Sequence, residues 1–169
     1  MIFILGLPRS RTKWLSEFLK TEKCKTSHEE SFRHDSLESL YKSGFDVICD
    51  TGLVLLWERL KGVVILIDRP LEEVEASCNK LGLGIETDIL PKLRKAFDEA
   101  KKCCICIPYE DLKKEHTCKM LFETVTGEKF NRNRWIKMDK IKIVCDINTI
   151  IEEVNTNLHN IKNMYGKVG

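Results

Sequence analysis

The chain has 169 residues, of which 43% are hydrophobic and 32% charged, and its net charge is +2. These values are ordinary for one soluble domain, and the low net charge argues against non-specific binding of nucleic acid. The longest apolar run, residues 63–67, is too short to span a bilayer, and the first residues do not follow the pattern of a signal peptide. We therefore expect one cytoplasmic domain over residues 1–169, without nucleic-acid or membrane partners.

The eight cysteines and four histidines do not have the spacing of metal ligands. Cys103, Cys104 and Cys106 crowd one predicted strand, and no paired Cys-x-x-Cys units accompany them. We interpret the cysteines as reduced thiols that pack as small hydrophobic side chains. No metal site is therefore expected.

Strands alternate with helices along the chain, and the first is an apolar run at residues 2–5 that predicts a buried strand. Further strands are predicted at 24–27, 45–49, 63–68 and 103–108, with a short extra strand at 140–145. Helices are predicted after residue 12, at 36–43, at 53–60, from residue 70, at 88–101, at 112–126 and from residue 146. This alternation predicts a three-layer α/β fold, in which helices flank a central parallel sheet of about five strands.

The turn between the first strand and the first helix carries the strongest functional pattern. Gly6 and Pro8 break the strand, and a helix begins a few residues later. A strand, a tight turn and a helix N-terminus group backbone N–H donors around one concavity, where the helix dipole favours an anion. Further donors and positive charge come from Arg9, Ser10, Arg11, Thr12 and Lys13. The sequence therefore predicts a phosphate-type binding loop.

Polar or charged residues follow the first four predicted strands, at the edge of the sheet where ligands gather in such folds. These strand ends are Pro8-Arg9-Ser10, His28-Glu29, Asp50-Thr51 and Arg69. Because the rest of the predicted sheet is rich in Ile, Val and Cys, this coincidence is a second indication of a site.

The loop differs from the Walker A pattern, Gly-x-x-x-x-Gly-Lys-Ser/Thr, because Arg11 and Thr12 stand at the positions of its second glycine and its lysine. It resembles instead the 5′-phosphosulfate loop of sulfotransferases, typically Pro-Lys/Arg-Ser-Gly-Thr-Thr-Trp. Arg11 replaces the glycine of that pattern, and Lys13 replaces its second threonine. Five positions match it: Pro8, Arg9, Ser10, Thr12 and Trp14.

A second element resembles the same family. Sulfotransferases hold the 3′-phosphate of their cofactor with an arginine at a strand end and a serine eight positions later. Here Arg69 ends a predicted strand, Pro70 follows it, and Ser77 lies eight positions after the arginine. Ser77 is about two helical turns beyond Pro70 and therefore on the face above the first turn.

The resemblance implies a small, bacterial or phage-type, P-loop-like sulfotransferase. Its cofactor would be 3′-phosphoadenosine 5′-phosphosulfate, its acceptor a hydroxyl or amine on a small molecule or a macromolecule, and no metal would be required. The cofactor-binding residues that it implies are Arg9, Ser10, Arg11, Thr12, Lys13, Trp14, Arg69 and Ser77.

The resemblance also implies three catalytic residues. Arg9 would stabilise charge on the bridging oxygen of the leaving group. Glu29 is the expected base that accepts the acceptor's proton, because related small bacterial enzymes carry a glutamate after the second strand. His28 is the second candidate, since its ordinary pKa is convenient for that task.

Two other functions remain open. A P-loop kinase for a small molecule or nucleotide would need a magnesium ligand, for which Asp50 is the best candidate. A non-catalytic nucleotide-binding or interaction protein is the other possibility, because a scaffold does not imply turnover. In the C-terminal half, Arg132, Arg134 and Trp135 either form a basic loop over the cofactor or a solvated turn with one packed aromatic ring.

Overall fold

The computed structural model describes residues 1–80 and 89–140. Its sheet has five parallel strands in the order β2-β3-β1-β4-β5. The strands are β1 (Ile2–Gly6), β2 (Thr26–His28), β3 (Val47–Asp50), β4 (Val63–Asp68) and β5 (Ile105–Pro108). The predicted α/β fold with a central parallel sheet flanked by helices is thus confirmed.

Helices connect the strands and cover both faces of the sheet. The α-helices are α1 (Thr12–Leu19), α2 (Leu37–Tyr41), α3 (Leu71–Lys80), α4 (Ile89–Ala100), α5 (Glu115–Thr126) and α6 (Arg132–Asp139). Within residues 1–80 and 89–140, three 3₁₀ helices cover Glu30–Arg33, Gly52–Arg59 and Tyr109–Lys113. Among the described residues, no helix is long and apolar enough to cross a bilayer.

The sheet has an apolar core on each face, because successive side chains of β1, its central strand, point to opposite faces. Phe3 and Leu5 are fully buried on one face of the sheet, under α2, α3, α4 and the 3₁₀ helix Gly52–Arg59. Ile4 is fully buried on the opposite face, where α1, α5 and α6 pack. A central parallel strand buried on both faces needs a continuous apolar sequence, which residues 2–5 supply.

Several element boundaries differ from the prediction for local reasons. The predicted helix at 112–126 is divided, because Lys114 has an extended backbone (φ −91°, ψ 126°) between the 3₁₀ helix and α5. The segment predicted as a helix at 53–60 winds as a 3₁₀ helix. β5 begins at Ile105, because the N–H of Cys104 still donates to the carbonyl of Ala100 (2.9 Å) at the end of α4. The strand predicted at 140–145 and the helix from 146 lie outside the described residues.

Candidate functional site

The loop between β1 and α1 is a tight turn that depends on Gly6. Leu7 and Ser10 are fully buried, and the N–H of Ser10 donates to the carbonyl of Leu7 (3.2 Å). A Cβ atom on Gly6 would lie only 2.9 Å from the Cβ of Ser10. Glycine at this position therefore lets the turn fold back against the end of the strand.

Backbone strain is concentrated at this edge of the sheet. Arg9 (φ 67°), Arg11 (φ 63°) and Glu29 (φ 52°) are the only non-glycine residues with positive φ among the described residues. The first two belong to the loop after β1, and Glu29 follows β2 directly. Each such residue costs roughly 1–2 kcal/mol relative to a normal conformation, and strain of this kind clusters at functional sites. The glycine position of the sulfotransferase pattern, Arg11, thus has the backbone conformation that glycine adopts most easily.

The two sequence motifs meet between β1 and β4, from which the chain connections run to opposite sides of the sheet. The connection after β1 leads through α1 to β2 on one side, whereas the connection after β4 leads through α3 and α4 to β5 on the other. The resulting crevice is where open parallel sheets bind ligands. There Arg69 donates to the carbonyl oxygen of Arg9 (2.6 Å), and Arg9 Nε donates to Ser77 Oγ (3.4 Å). The structure therefore brings Arg9, Arg69 and Ser77 together.

Two neighbours that the sequence analysis missed hold Arg69 in position. Glu73 lies 3.3 Å from its Nε, and the guanidinium carbon lies 4.4 Å from the centroid of the Tyr109 ring. Glu73 lies in the first turn of α3, four residues after Arg69, which precedes that helix. Tyr109 directly follows β5, so the rule about strand ends would have found it.

A groove of about 590 Å³ adjoins this crevice at the ends of β4 and β5. Tyr109 forms part of its wall, together with Asp68 and Arg94. Both polar side chains are already paired, since Asp68 contacts Lys101 and Arg94, and Arg94 also contacts Asp98. The groove wall also carries the carboxylates of Glu72 and Glu110, so its lining is largely acidic.

Of the two candidate bases, His28 lies next to Thr12 of the loop, and Glu29 lies beside His28. His28 Nε2 is 3.1 Å from Thr12 Oγ1 and 3.5 Å from Glu29 Oε1. Burial, with the charges of Lys13 and Arg33, lowers the pKa of His28 to about 4. The imidazole is therefore neutral near pH 7.

The carboxylate of Glu29 is fixed by the end of the neighbouring strand. Glu29 is buried, and the N–H of Thr51 donates to both of its carboxylate oxygens (3.2 and 3.3 Å). Its own N–H donates to the carbonyl of Cys49 (2.9 Å). The left-handed backbone of Glu29 therefore turns its side chain back toward β3 and His28.

Asp50, the metal ligand that a kinase would need, is fully buried at the end of β3. Its carboxylate accepts the N–H groups of Ser31 (3.0 Å) and Leu53 (2.9 Å), and burial raises its pKa. These bonds fix the two 3₁₀ helices that follow β2 and β3. Among residues 1–80 and 89–140, no group of three or more His, Cys, Asp or Glu side chains is arranged to hold a metal ion.

Two residues of the loop motif point away from the concavity. Trp14 is only 4% exposed, stacks on Phe18 at 4.8 Å between ring centroids, and donates its indole N–H to the carbonyl of Met138 (3.0 Å). Arg11 contacts Asp139 (3.3 Å), and its guanidinium carbon lies 5.1 Å from the centroid of the Trp14 ring. Trp14 thus supports the loop from beneath, while contact of either residue with a cofactor stays a prediction.

The basic residues of α6 lie away from the loop. Arg134 donates to the carbonyls of Glu17 (2.7 Å) and Lys20 (2.5 Å) at the C-terminal end of α1, whereas the loop is at its N-terminal end. Arg132 pairs with Glu115 (2.9 Å), and Trp135 is partly buried against the core. Of the two interpretations from the sequence, these contacts favour a surface element with one packed aromatic ring.

Comparison of the chain with protein-family models, with curated proteins and with solved structures finds no match.

Proposed function

We propose that this α/β protein binds a nucleotide with two separate phosphate-type groups, one at the loop after β1 and one at Arg69. The observation that carries this proposal is the contact of Arg9 with both Ser77 and Arg69, from elements that are 60 or more residues apart. Two guanidinium groups and a hydroxyl at the switch point of a parallel sheet are suited to anions.

The residues fit such a group in two further respects. The hydroxyl of Ser10 is buried in the loop and has no hydrogen-bond partner among the described residues. A buried hydroxyl without a partner is costly unless a ligand or water satisfies it. The short approach of Ser10 to Gly6 also keeps the loop compact, so that its N–H groups can surround an anion.

Within this class, we infer that the protein is a sulfotransferase that uses 3′-phosphoadenosine 5′-phosphosulfate. The cofactor supplies the sulfuryl group that is transferred to a hydroxyl or amine. Arg9 and Lys13 offset the negative charge that develops at the phosphate. Glu29 accepts the proton of the acceptor, while neutral His28, between Thr12 and Glu29, orients the carboxylate.

Ligand-dependent stability tests the proposal. 3′-phosphoadenosine 5′-phosphate should raise the Tm without added metal, because a ligand that binds only the folded state stabilises it. ATP with magnesium should raise it less. Equal or greater stabilisation by ATP with magnesium would instead support a P-loop kinase.

Arg69→Ala distinguishes recognition of the 3′-phosphate from a general charge effect. It should weaken the binding of 3′-phosphoadenosine 5′-phosphate by about 1.5–3 kcal/mol, the value of a hydrogen bond to a charged group. Binding of adenosine 5′-phosphosulfate, which has no 3′-phosphate, should change much less. The matched control is Arg132→Ala on α6, which should leave both affinities unchanged. Equal losses for both ligands would show that Arg69 only supports the fold.

Turnover separates an enzyme from a binding protein on the same scaffold. In a screen of hydroxyl and amine acceptors, Glu29→Gln should lower turnover by roughly 10²–10⁴-fold at nearly normal cofactor affinity. His28→Asn should have the smaller effect. Tight cofactor binding without turnover for any acceptor would support the non-catalytic alternative.

A further inference from the structure

Arg11 belongs to the loop by its backbone and to α6 by its side chain. Its Nη2 lies 3.3 Å from Asp139, the last residue of α6, and its Nη1 donates to the carbonyl of Leu112 (3.5 Å). The side chains of Arg11 and Asp139 are 24% and 40% exposed. An exposed pair of this kind contributes only about 0–1 kcal/mol.

α6 is attached to the domain through partly buried side chains and through Arg134, which donates to the carbonyls of Glu17 and Lys20 at the end of α1. It has no fully buried residue, and Trp135 and Met138 are only partly buried against the core. Besides the contact of Asp139 with Arg11, its C-terminal end is held by the bond from Trp14 to the Met138 carbonyl. Within the described residues α6 thus has few buried contacts, and such an element opens at a low free-energy cost.

We propose that Asp139 competes with the ligand for the guanidinium of Arg11. A phosphate-type anion bound in the loop draws Arg11 away from Asp139, and this loosens the C-terminal end of α6. This inference rests on the proposed function only in that the loop must bind such an anion. Because the backbone of Arg11 is part of the loop, its guanidinium is tethered close to an anion bound there, and to reach it the side chain must leave Asp139, the Leu112 carbonyl and the Trp14 ring. A charge-assisted bond to phosphate is stronger than an exposed ion pair, so the ligand wins the competition.

The competition predicts that removal of Asp139 increases affinity. Asp139→Asn should bind pyrophosphate and 3′-phosphoadenosine 5′-phosphate about two- to fivefold more tightly, as measured by calorimetry at low ionic strength. Glu115→Gln is the matched control, because it breaks another ion pair of α6, with Arg132, that does not touch the loop; its affinities should equal those of the wild type. In the background Arg11→Gly, Asp139→Asn should bring no gain. An unchanged or weaker affinity of Asp139→Asn would overturn the proposal.

Hydrogen exchange of α6 gives a second readout that does not depend on turnover. In the wild type, either anion should accelerate exchange at the C-terminal end of α6, and Asp139→Asn should show the faster exchange without any ligand. Greater protection of α6 on binding would contradict the proposal. Binding of pyrophosphate without preference for 3′-phosphoadenosine 5′-phosphate would overturn the sulfotransferase but not the competition, whereas failure of both anions to bind would overturn both.

Discussion

Replacement of Gly6 by alanine tests whether the compact turn after β1 is what binds the ligand. The added Cβ would lie 2.9 Å from the Cβ of Ser10, and 3.5 Å from the carbonyl oxygen of Ile67 on β4. Ser10 is fully buried, so it can yield only if the loop moves. Such overpacking typically costs about 1–3 kcal/mol. Alanine also lowers the conformational entropy of the unfolded chain, which offsets part of this cost, so we expect a net loss of stability of about 1–2 kcal/mol.

Thermal or urea denaturation would measure this loss, and each kcal/mol corresponds to roughly 2–4 °C in Tm for a domain of this size. A double-mutant cycle then identifies the cause. Because Ser10→Gly removes the atom that Gly6→Ala would strike, the two changes together should recover about 1 kcal/mol relative to the sum of the single effects. Absence of this coupling would show that the contact with Ser10 is not the source of the loss.

Affinity connects the same change with function. Gly6→Ala should weaken the binding of 3′-phosphoadenosine 5′-phosphate, because the N–H donors of the displaced loop no longer surround one point. Gly62→Ala is a control at the opposite end of the strands, just before β4, where the added Cβ would lie 2.5 Å from the carbonyl oxygen of Met1. It should lower stability but not affinity. Gly6→Ala with normal affinity would refute the assignment of the loop as the anion site.

Three further predictions concern His28, Asp50 and Arg134. The pKa of His28 is about 4 in the folded protein against an ordinary 6.5. As the pH falls from 7 to 4, the unfolded state therefore takes up this proton before the folded state does, and stability should fall by up to about 3 kcal/mol. A pH series of urea denaturation should show a smaller fall in His28→Gln. Asp50→Ala leaves two buried N–H groups without their acceptor and should cost about 2–4 kcal/mol; a loss below 1 kcal/mol would contradict its structural role. Arg134→Ala should cost about 1 kcal/mol, because the last carbonyls of α1 lose their donor, and calorimetry should show unchanged affinity for 3′-phosphoadenosine 5′-phosphate, whereas weaker binding would favour a loop over the cofactor.

The sheet could be predicted because its strands carry their own signal. Residues 63–68, a continuous run of apolar residues that ends in aspartate, were predicted with the bounds that β4 has. The 3₁₀ winding of Gly52–Arg59 was not predictable, because the apolar spacing of that segment also fits an α-helix. Its first turn is fixed by a bond between Leu53 and the buried carboxylate of Asp50, and such burial depends on the finished fold.

The candidate site was predictable as a set of strand ends but not as a set of contacts. The rule that ligands gather at carboxyl ends brought Arg9 and Arg69 to one edge, yet their direct contact requires β1 and β4 to be neighbours, which the alternation of elements does not specify. For Arg11, the sequence predicts a donor to the ligand. That contact stays a prediction; the structure adds a contact of the side chain with Asp139, 128 positions away, which no local pattern encodes.

The position of β1 has a consequence for synthesis of the chain. β1 is made first but lies in the middle of the sheet, where Ile2 pairs with Val47 on one side and with Val63 on the other. At translation rates of 5–20 residues per second, this apolar strand waits on the order of several seconds before both neighbours exist. Until β4 has been made, at least one edge of β1 is open to other chains. A nascent chain stalled before β4 therefore keeps an unpaired apolar strand edge, which a chaperone would have to protect.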